Sequence, residues 1–336
     1  MLNIGVLGTG RIGKIHISNL VNHTQVKVVL VADPYIDEEF VQSLQLPFSR
    51  DSQDVLTHKD IEAVFICTSS DTHYDLNKRA IIARKKAIFC EKPIDLDLQR
   101  ILEIEHLVRE HNVFLQIGFN RRFDSNFKQI AKLVQQGEAG RLVHTRIVSR
   151  DFSAPPRSYI EKSGGIFLDM SIHDFDMLRY VTGREVQEVY VRGASLVSDY
   201  GDIDIDSALI SLVLDDGSLA SIENCREAVY GYDQRVEVFG RKGRVSCENK
   251  YENSVLLCNV NCESRSNPLD FFLERYADSY RNELQDFISQ YYAKKSPSVG
   301  IKESIEATLI ALGAMESLQQ NCSISMRAIR NQYIKG

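Results

Sequence analysis

Leu2-Asn3-Ile4-Gly5-Val6-Leu7-Gly8-Thr9-Gly10-Arg11-Ile12-Gly13 opens the chain as a short apolar run that breaks into three glycines, and an amphipathic segment then continues to about Val21. This is the order strand, G-x-G-x-x-G, helix that a dinucleotide-binding turn requires. Gly8 permits the tight turn, Gly10 lets the backbone approach a pyrophosphate, and Gly13 lets the helix close on the strand. Arg11 and Ile12 begin that helix, whose N-terminus faces the phosphates. A glycine triplet alone is weak evidence. Here the second apolar run, Val26 to Ala32, ends in Asp33, 20 residues past Gly13, where an acid can take the ribose hydroxyls of NAD. Pro34 and Tyr35 follow, with no arginine to receive a 2′-phosphate, so NAD is expected rather than NADP.

Outward from the turn, strand and helix signals keep alternating. A helix is expected near Asp37 to Leu44, a short element near Pro47 to Phe48, and another helix start at Asp51. Ile61 to Thr68 is a continuous apolar run, as in a parallel strand covered on both faces. It ends in Thr68-Ser69-Ser70-Asp71-Thr72-His73, whose hydroxyls and Asp71 can cap the next helix. In a doubly wound sheet that loop lies at the carboxyl edge, beside the cofactor, so Thr68, Ser69, Ser70 and His73 are cofactor-site candidates, His73 more as a structural group than a catalytic one. Ala87 to Cys90 delivers Glu91-Lys92-Pro93 to the same edge. A lysine there can polarise a carbonyl or alkoxide; the plain alternative is a surface lysine. A helix over Leu96 to His111 and a strand over Val113 to Gly118 complete the first half.

The 336 residues suit two domains, and the 43% hydrophobic and 26% charged fractions are those of an ordinary globular protein. A net charge of −6 leaves no basic footprint for nucleic acid or an anionic membrane. Met1-Leu2-Asn3-Ile4 runs straight into a strand with no targeting pattern, and no apolar run reaches membrane-spanning length, so a cytoplasmic location is expected. Seven cysteines, an odd number without paired C-x-x-C spacing, read as small buried hydrophobes of a reducing compartment, and no metal site is expected.

At mid-chain, Gly164 and Gly165 lead into Ile166-Phe167-Leu168-Asp169-Met170-Ser171-Ile172-His173-Asp174-Phe175-Asp176, and the pattern runs as a helix until Gly183. Asp169, His173 and Asp176 fall at i, i+4 and i+7 on one stripe. A carboxylate one turn before an imidazole can hold one ring nitrogen and raise the basicity of the other, which prepares a histidine to move a proton. A solvated helix face would show the same spacing. Just before it, Ser153 to Tyr159 is a proline-rich segment, either a loop that closes over substrate or a rigid connection.

Gly8-Thr9-Gly10-Arg11-Ile12-Gly13, Thr72-His73, Glu91-Lys92-Pro93, Gly118 to Asp124, and Gly164-Gly165 leading to Asp169-x-x-x-His173 together resemble the Gfo/Idh/MocA oxidoreductase family, most closely its inositol 2-dehydrogenase branch. The resemblance implies that Lys92, Asp169 and His173 are catalytic and that Glu91 and Lys92 border the cofactor. It further implies that Asn120, Arg121, Asp151 and Tyr232 line a pocket for a cyclic polyol or sugar. One departure stands out. Ser149-Arg150-Asp151 replaces the His-Arg-Asn type triplet of many inositol dehydrogenases, which touches the identity of the polyol more than the reaction. A sugar dehydrogenase and a non-enzymic NAD-binding regulator remain the rival readings.

The expected fold is α/β. A Rossmann doubly wound parallel sheet over 1–122 precedes an α+β domain over 123–336 with a large, mainly antiparallel open sheet. A helix from about Asn126 to Gln136 is followed by strands at Leu142–Ser149, Val186–Val191, Ser207–Leu214, Leu219–Cys225, Arg235–Phe239, Arg244–Cys247 and Ser254–Cys258, separated by turns such as Asp216-Gly217 and Lys242-Gly243. An open sheet of that size needs its outer face covered, and the resemblance implies a homo-oligomer, commonly a tetramer. Phe271 to Tyr292 and Ile301 to Gln319 read as long amphipathic helices; the resemblance implies that they pack back on both domains.

Overall fold

The computed structural model describes residues 1–334, which form two compact units: Met1–Asn120 with Asp278–Glu306, and Arg121–Ala277 with the described residues from Ala307 onward. The first unit is built from β1 (Leu2–Leu7), α1 (Arg11–Val21), β2 (Val26–Ala32), α2 (Glu38–Ser43), β3 (Phe48–Ser49), α3 (Ser52–Thr57), β4 (Ala63–Ile66), α4 (Ser70–Ile82), β5 (Ala87–Glu91), α5 (Leu98–His111) and β6 (Phe114–Gly118). All strand pairs are parallel, in the order β3-β2-β1-β4-β5-β6. That is the doubly wound order whose ligands bind at the carboxyl edge where the strand order reverses, between β1 and β4. β4 and β5 are buried along their whole length, which is why they carry unbroken apolar residues instead of an alternation. Phe65 and Phe89 stack 4.7 Å apart on adjacent strands, and Phe287 closes on Phe65 edge-on at 5.1 Å. Aromatic packing therefore makes residues 278–306 part of this core.

The second unit contains α6 (Ser125–Gln135), β7 (Leu142–Arg150), α7 (Arg157–Ser163), α8 (Ile172–Thr182), β8 (Val186–Ala194), β9 (Ser207–Leu214), β10 (Leu219–Cys225), β11 (Asp233–Gly240) and β12 (Gly243–Cys247). Later come β13 (Leu256–Cys258), β14 (Glu263–Arg265), α9 (Phe272–Arg275) and α10 (Ala277–Tyr292), most of which belongs to the first unit. α11 (Ile301–Gln320), β15 (Ile324–Ser325) and α12 (Met326–Tyr333) end the described chain. Its sheet runs β12-β11-β7-β10-β9-β8-β15. The turns at Asp216-Gly217 and Lys242-Gly243 make the antiparallel hairpins they promise, but β7 and β10 pair in parallel, so the sheet is mixed. α6 and α8 pack together, α6 against β11 and β12 and α8 against β7.

Four local expectations are corrected. The strand expected over Ser254–Cys258 leaves the large sheet and forms a separate two-stranded ribbon, β13 with β14. The helix expected from Phe271 breaks at Tyr276 into α9 and α10. The Ser69 side chain makes no cap bond to α4; instead Thr68 and Thr72 hydroxyls meet at 2.6 Å and Thr72 Oγ1 donates to Ser69 O. Cys67 and Cys90 are buried, but Cys258, Cys262 and Cys322 are exposed, so the small-hydrophobe reading fails for those three.

Candidate active site

In the first unit, the fingerprint glycines are required by space. Gly8 holds φ +103°, and a Cβ there would lie 2.5 Å from Cys67 O; one on Gly13 would lie 2.2 Å from Gly8 O. Gly10 differs, since a Cβ on it would meet nothing within 4 Å, leaving room above the N-terminus of α1. That end carries no side-chain cap and no acid in its first turn, which leaves its N–H groups for an anion. Asp33 follows β2 and fastens the turn: Oδ2 accepts from Thr9 N at 2.6 Å and Thr9 Oγ1 at 3.0 Å, and Oδ1 accepts from Tyr35 N. Oδ1, with this one donor, retains acceptor capacity for a ribose hydroxyl. These residues fit a dinucleotide.

His73 is buried between two carbonyls, Nδ1 2.7 Å from Pro93 O and Nε2 3.0 Å from Thr68 O, so it ties the loop after β4 to the loop after β5. Burial lowers its pKa against the pull of both carbonyls. Glu91 lies under α1, with Oε1 2.7 Å from His16 Nε2, and supports the turn from below. Lys92, half-buried, follows it, and the Lys92–Pro93 peptide is cis. Asn120 is buried, and its Nδ2 has no partner among the described residues.

In the second unit, the stretch expected to be one helix begins as a π turn, Phe167–Ser171, and becomes α8 only at Ile172. The widened turn carries Asp169, and such turns occur often at functional positions. Asp169 is held from outside its own helix: Oδ1 accepts from Tyr159 Oη at 2.9 Å and Oδ2 from Arg226 Nη1 at 3.0 Å. Asp176, expected on the stripe with Asp169 and His173, is instead buried in a two-pronged ion pair with Arg122, at 2.8 and 2.6 Å. Between them, Asp174 is fully buried and accepts from Arg121 Nη1, Ser149 Oγ and Asn224 Nδ2, all within 2.7 Å. Arg121 also reaches Tyr232 Oη at 3.4 Å. Arg121, Ser149 and Tyr232 are thus joined in one buried polar network around Asp174.

Asp151 follows β7, half-buried. Burial raises its carboxyl from 3.8 to about 7, the Asp169 charge adds to that, and Arg121 and Arg226 oppose it. A carboxyl that keeps its proton longer in the folded chain than in the unfolded one loses stability as pH rises. The contribution of Asp151 to stability should therefore fall between about pH 4 and pH 7, and Asp151→Asn should remove that part of the pH dependence. Urea midpoints at pH 5 and pH 8 measure it; an equal slope in both proteins would clear Asp151.

Asp174, Asn224 and Arg226 were not singled out in the sequence. A signal exists for two of them. Asn224 continues the inward series Ala220, Ile222 on β10, and Asp174 interrupts the apolar face that holds Phe175, and a polar residue on a buried face needs a partner. Arg226 carries no such periodic mark.

An oxidoreductase family with an NAD-binding Rossmann fold matches residues 2–119, and the Gfo/Idh/MocA C-terminal domain matches residues 127–246. The chain belongs to the Gfo/Idh/MocA oxidoreductase family. It is 41% identical over 327 residues to an uncharacterised oxidoreductase of Bacillus subtilis, covering 96% of each chain. It is 40% identical over 333 residues to the myo-inositol 2-dehydrogenase of Thermotoga maritima, covering 98% of this chain and 99% of that one. A scyllo-inositol dehydrogenase of Lactobacillus casei, solved with NAD(H) and scyllo-inositol, superposes with a TM-score of 0.89 at 30% identity, over 97% of this chain and 99% of that one. As a member of this family the chain is an NAD-dependent oxidoreductase, the cofactor that Asp33 and the absence of a following arginine anticipate. Among the described residues no helix is long and apolar enough to cross a membrane, and no group of three or more His, Cys, Asp or Glu could hold a metal.

Proposed function

We propose that this protein oxidises a secondary hydroxyl of a cyclic polyol, myo-inositol to 2-keto-myo-inositol. The observation that carries this reading is the end-to-end likeness to a myo-inositol 2-dehydrogenase, which spans both matched domains. Bound NAD supplies the nicotinamide carbon that takes the hydride. The chain's own residues manage the proton. His173 accepts it from the reacting hydroxyl, Asp169 keeps the imidazole oriented, and Lys92 donates a hydrogen bond to the oxygen as charge develops there. Asn120, Arg121, Asp151 and Tyr232 are assigned to the polyol pocket. Because Arg121 already serves Asp174, Ser149 and Tyr232, its share is to hold the pocket wall in shape. On the nucleotide side, Gly8, Gly10, Arg11, Ile12 and Gly13 receive the pyrophosphate, Asp33 the ribose, and Thr68, Ser69, Ser70, His73 and Glu91 shape the neighbouring edge.

Asp33→Arg should move the ratio of kcat/KM toward NADP, since it removes the acceptor for ribose hydroxyls and places a cation there. An unchanged ratio would take Asp33 out of the ribose site. We also assign the outer sheet face to homo-oligomer formation, as a tetramer. Leu209, Leu219 and Phe239 remain 62%, 52% and 46% exposed on that face, and sedimentation analysis decides the assembly.

A second reading keeps the reaction and changes the ring to another inositol isomer or a sugar. The Ser149-Arg150-Asp151 departure favours it, because Ser149 is drawn into the Asp174 network and Asp151 is a different donor–acceptor from asparagine. NAD reduction at 340 nm with myo-inositol, scyllo-inositol, D-chiro-inositol and aldoses tests both. Saturable preference for myo-inositol supports the first reading and preference for another ring the second, while NAD binding without turnover would leave a regulatory protein.

A further inference from the structure

Arg226 is buried to 1% exposure, yet its guanidinium joins two carboxylates from separate segments: Nη1 donates to Asp169 Oδ2 at 3.0 Å and Nη2 to Asp204 Oδ2 at 3.3 Å. Asp204 in turn receives the backbone N–H of Ile166, and a Cβ on Gly165, which sits at φ +80°, would lie 3.2 Å from Asp204 Oδ1. The π turn is thus gripped at its start through Asp204 and at its middle through Asp169, by a single side chain. Taking a guanidinium out of water is costly and is tolerated only where the geometry returns the loss. The groups facing Asp169 are Arg226 from the segment after β10, Tyr159 from α7 and Asp151 from the end of β7. Asp204 meets it through Arg226, and His173 lies four residues on, in α8. Three carboxylates therefore surround one guanidinium, with Arg121 already engaged by Asp174.

We propose that Arg226 is a positioning residue for the reaction: it sets the place of Asp169, and through Asp169 the orientation of His173. The proposal rests on the assignment of Asp169 and His173 above. Tyr159 is the second holder, fixing the other oxygen of the same carboxylate.

The test compares Arg226→Gln, Arg226→Lys and Tyr159→Phe in the full chain, reading kcat with the polyol that wild type prefers and NADH binding by fluorescence. Misplacement of a catalytic group by about an ångström costs on the order of a hundredfold, so Arg226→Gln should lose roughly ten- to a hundredfold in kcat. It should still bind NADH one to one with wild-type affinity, a stoichiometry that a partly misfolded protein would not keep. Arg226→Lys, which returns the charge without the fork, should recover part of the loss, and Tyr159→Phe should lose a few-fold. Should Arg226→Gln not fold, the other two variants carry the test. A kcat within about twofold of wild type in Arg226→Lys and Tyr159→Phe would overturn the proposal. Should His173→Ala also keep its kcat, the catalytic assignment itself falls, and the two failures are thereby told apart.

Discussion

Replacing His173 with alanine is expected to lower kcat for polyol oxidation by about 10²- to 10⁴-fold while leaving the affinity for NAD nearly unchanged. The size follows from the work assigned to the imidazole. Without a positioned base the hydroxyl proton must leave to water while hydride departs from the adjacent carbon, and the alkoxide that would otherwise accumulate is far too basic at neutral pH. Affinity for NAD should stand because the residues proposed to hold the nucleotide, the fingerprint and Asp33, belong to the other unit. Steady-state rates at 340 nm and NADH fluorescence titration on one preparation separate the two quantities. A near-normal kcat would remove His173 from proton transfer, and a parallel loss of NADH binding would mean that the substitution damages more than the base.

The second large effect concerns stability. Asp174→Ala should destabilise the protein by roughly 3–5 kcal/mol, because it strands Arg121 as a buried, uncompensated cation and leaves the Asn224 amide without its acceptor. Ser149→Ala removes only a neutral hydroxyl from the same network and should cost about 1 kcal/mol. Scanning calorimetry should show Asp174→Ala melting about 10 °C lower, using the shift of about 2–4 °C per kcal/mol typical of a domain this size. A melting temperature within about 2 °C of wild type would mean that Arg121 finds another partner. Removing both members of the pair, as in Arg121→Met with Asp174→Leu, should recover much of the loss, since no charge is then left buried.

What the sequence made legible is whatever short-range spacing controls. The glycine turn, its strand and helix, and Asp33 lie within one βαβ unit, and their geometry follows from the positions at which a Cβ cannot be tolerated. The two tight turns of the second unit were equally readable, because Asp-Gly and Lys-Gly pairs act locally. The site's support was not. Arg226 reaches Asp169 across 57 residues and Asp174 reaches Asn224 across 50, and nothing in a window of ten residues encodes such a meeting. The parallel pairing of β7 with β10 escaped for the same reason: hairpin turns dictate only neighbours in sequence, and β7 has neighbours on both sides from far along the chain. Helical periodicity placed Asp169, His173 and Asp176 on one stripe, but the π turn ends before His173, and the pull of Arg122 takes Asp176 into the interior.

The return of residues 278–306 to the first unit has a consequence for how the protein is made. Phe287 closes on Phe65 and Phe114 at 5.1 and 5.3 Å, and Leu284 and Ile288 belong to the same core, so the nucleotide-binding half is finished by residues translated some 160 positions after β6. Domains commonly fold as they emerge from the ribosome, the amino-terminal one first. Here the earlier half emerges with an aromatic ridge still bare and must wait, guarded or partly open, until most of the later half has been synthesised.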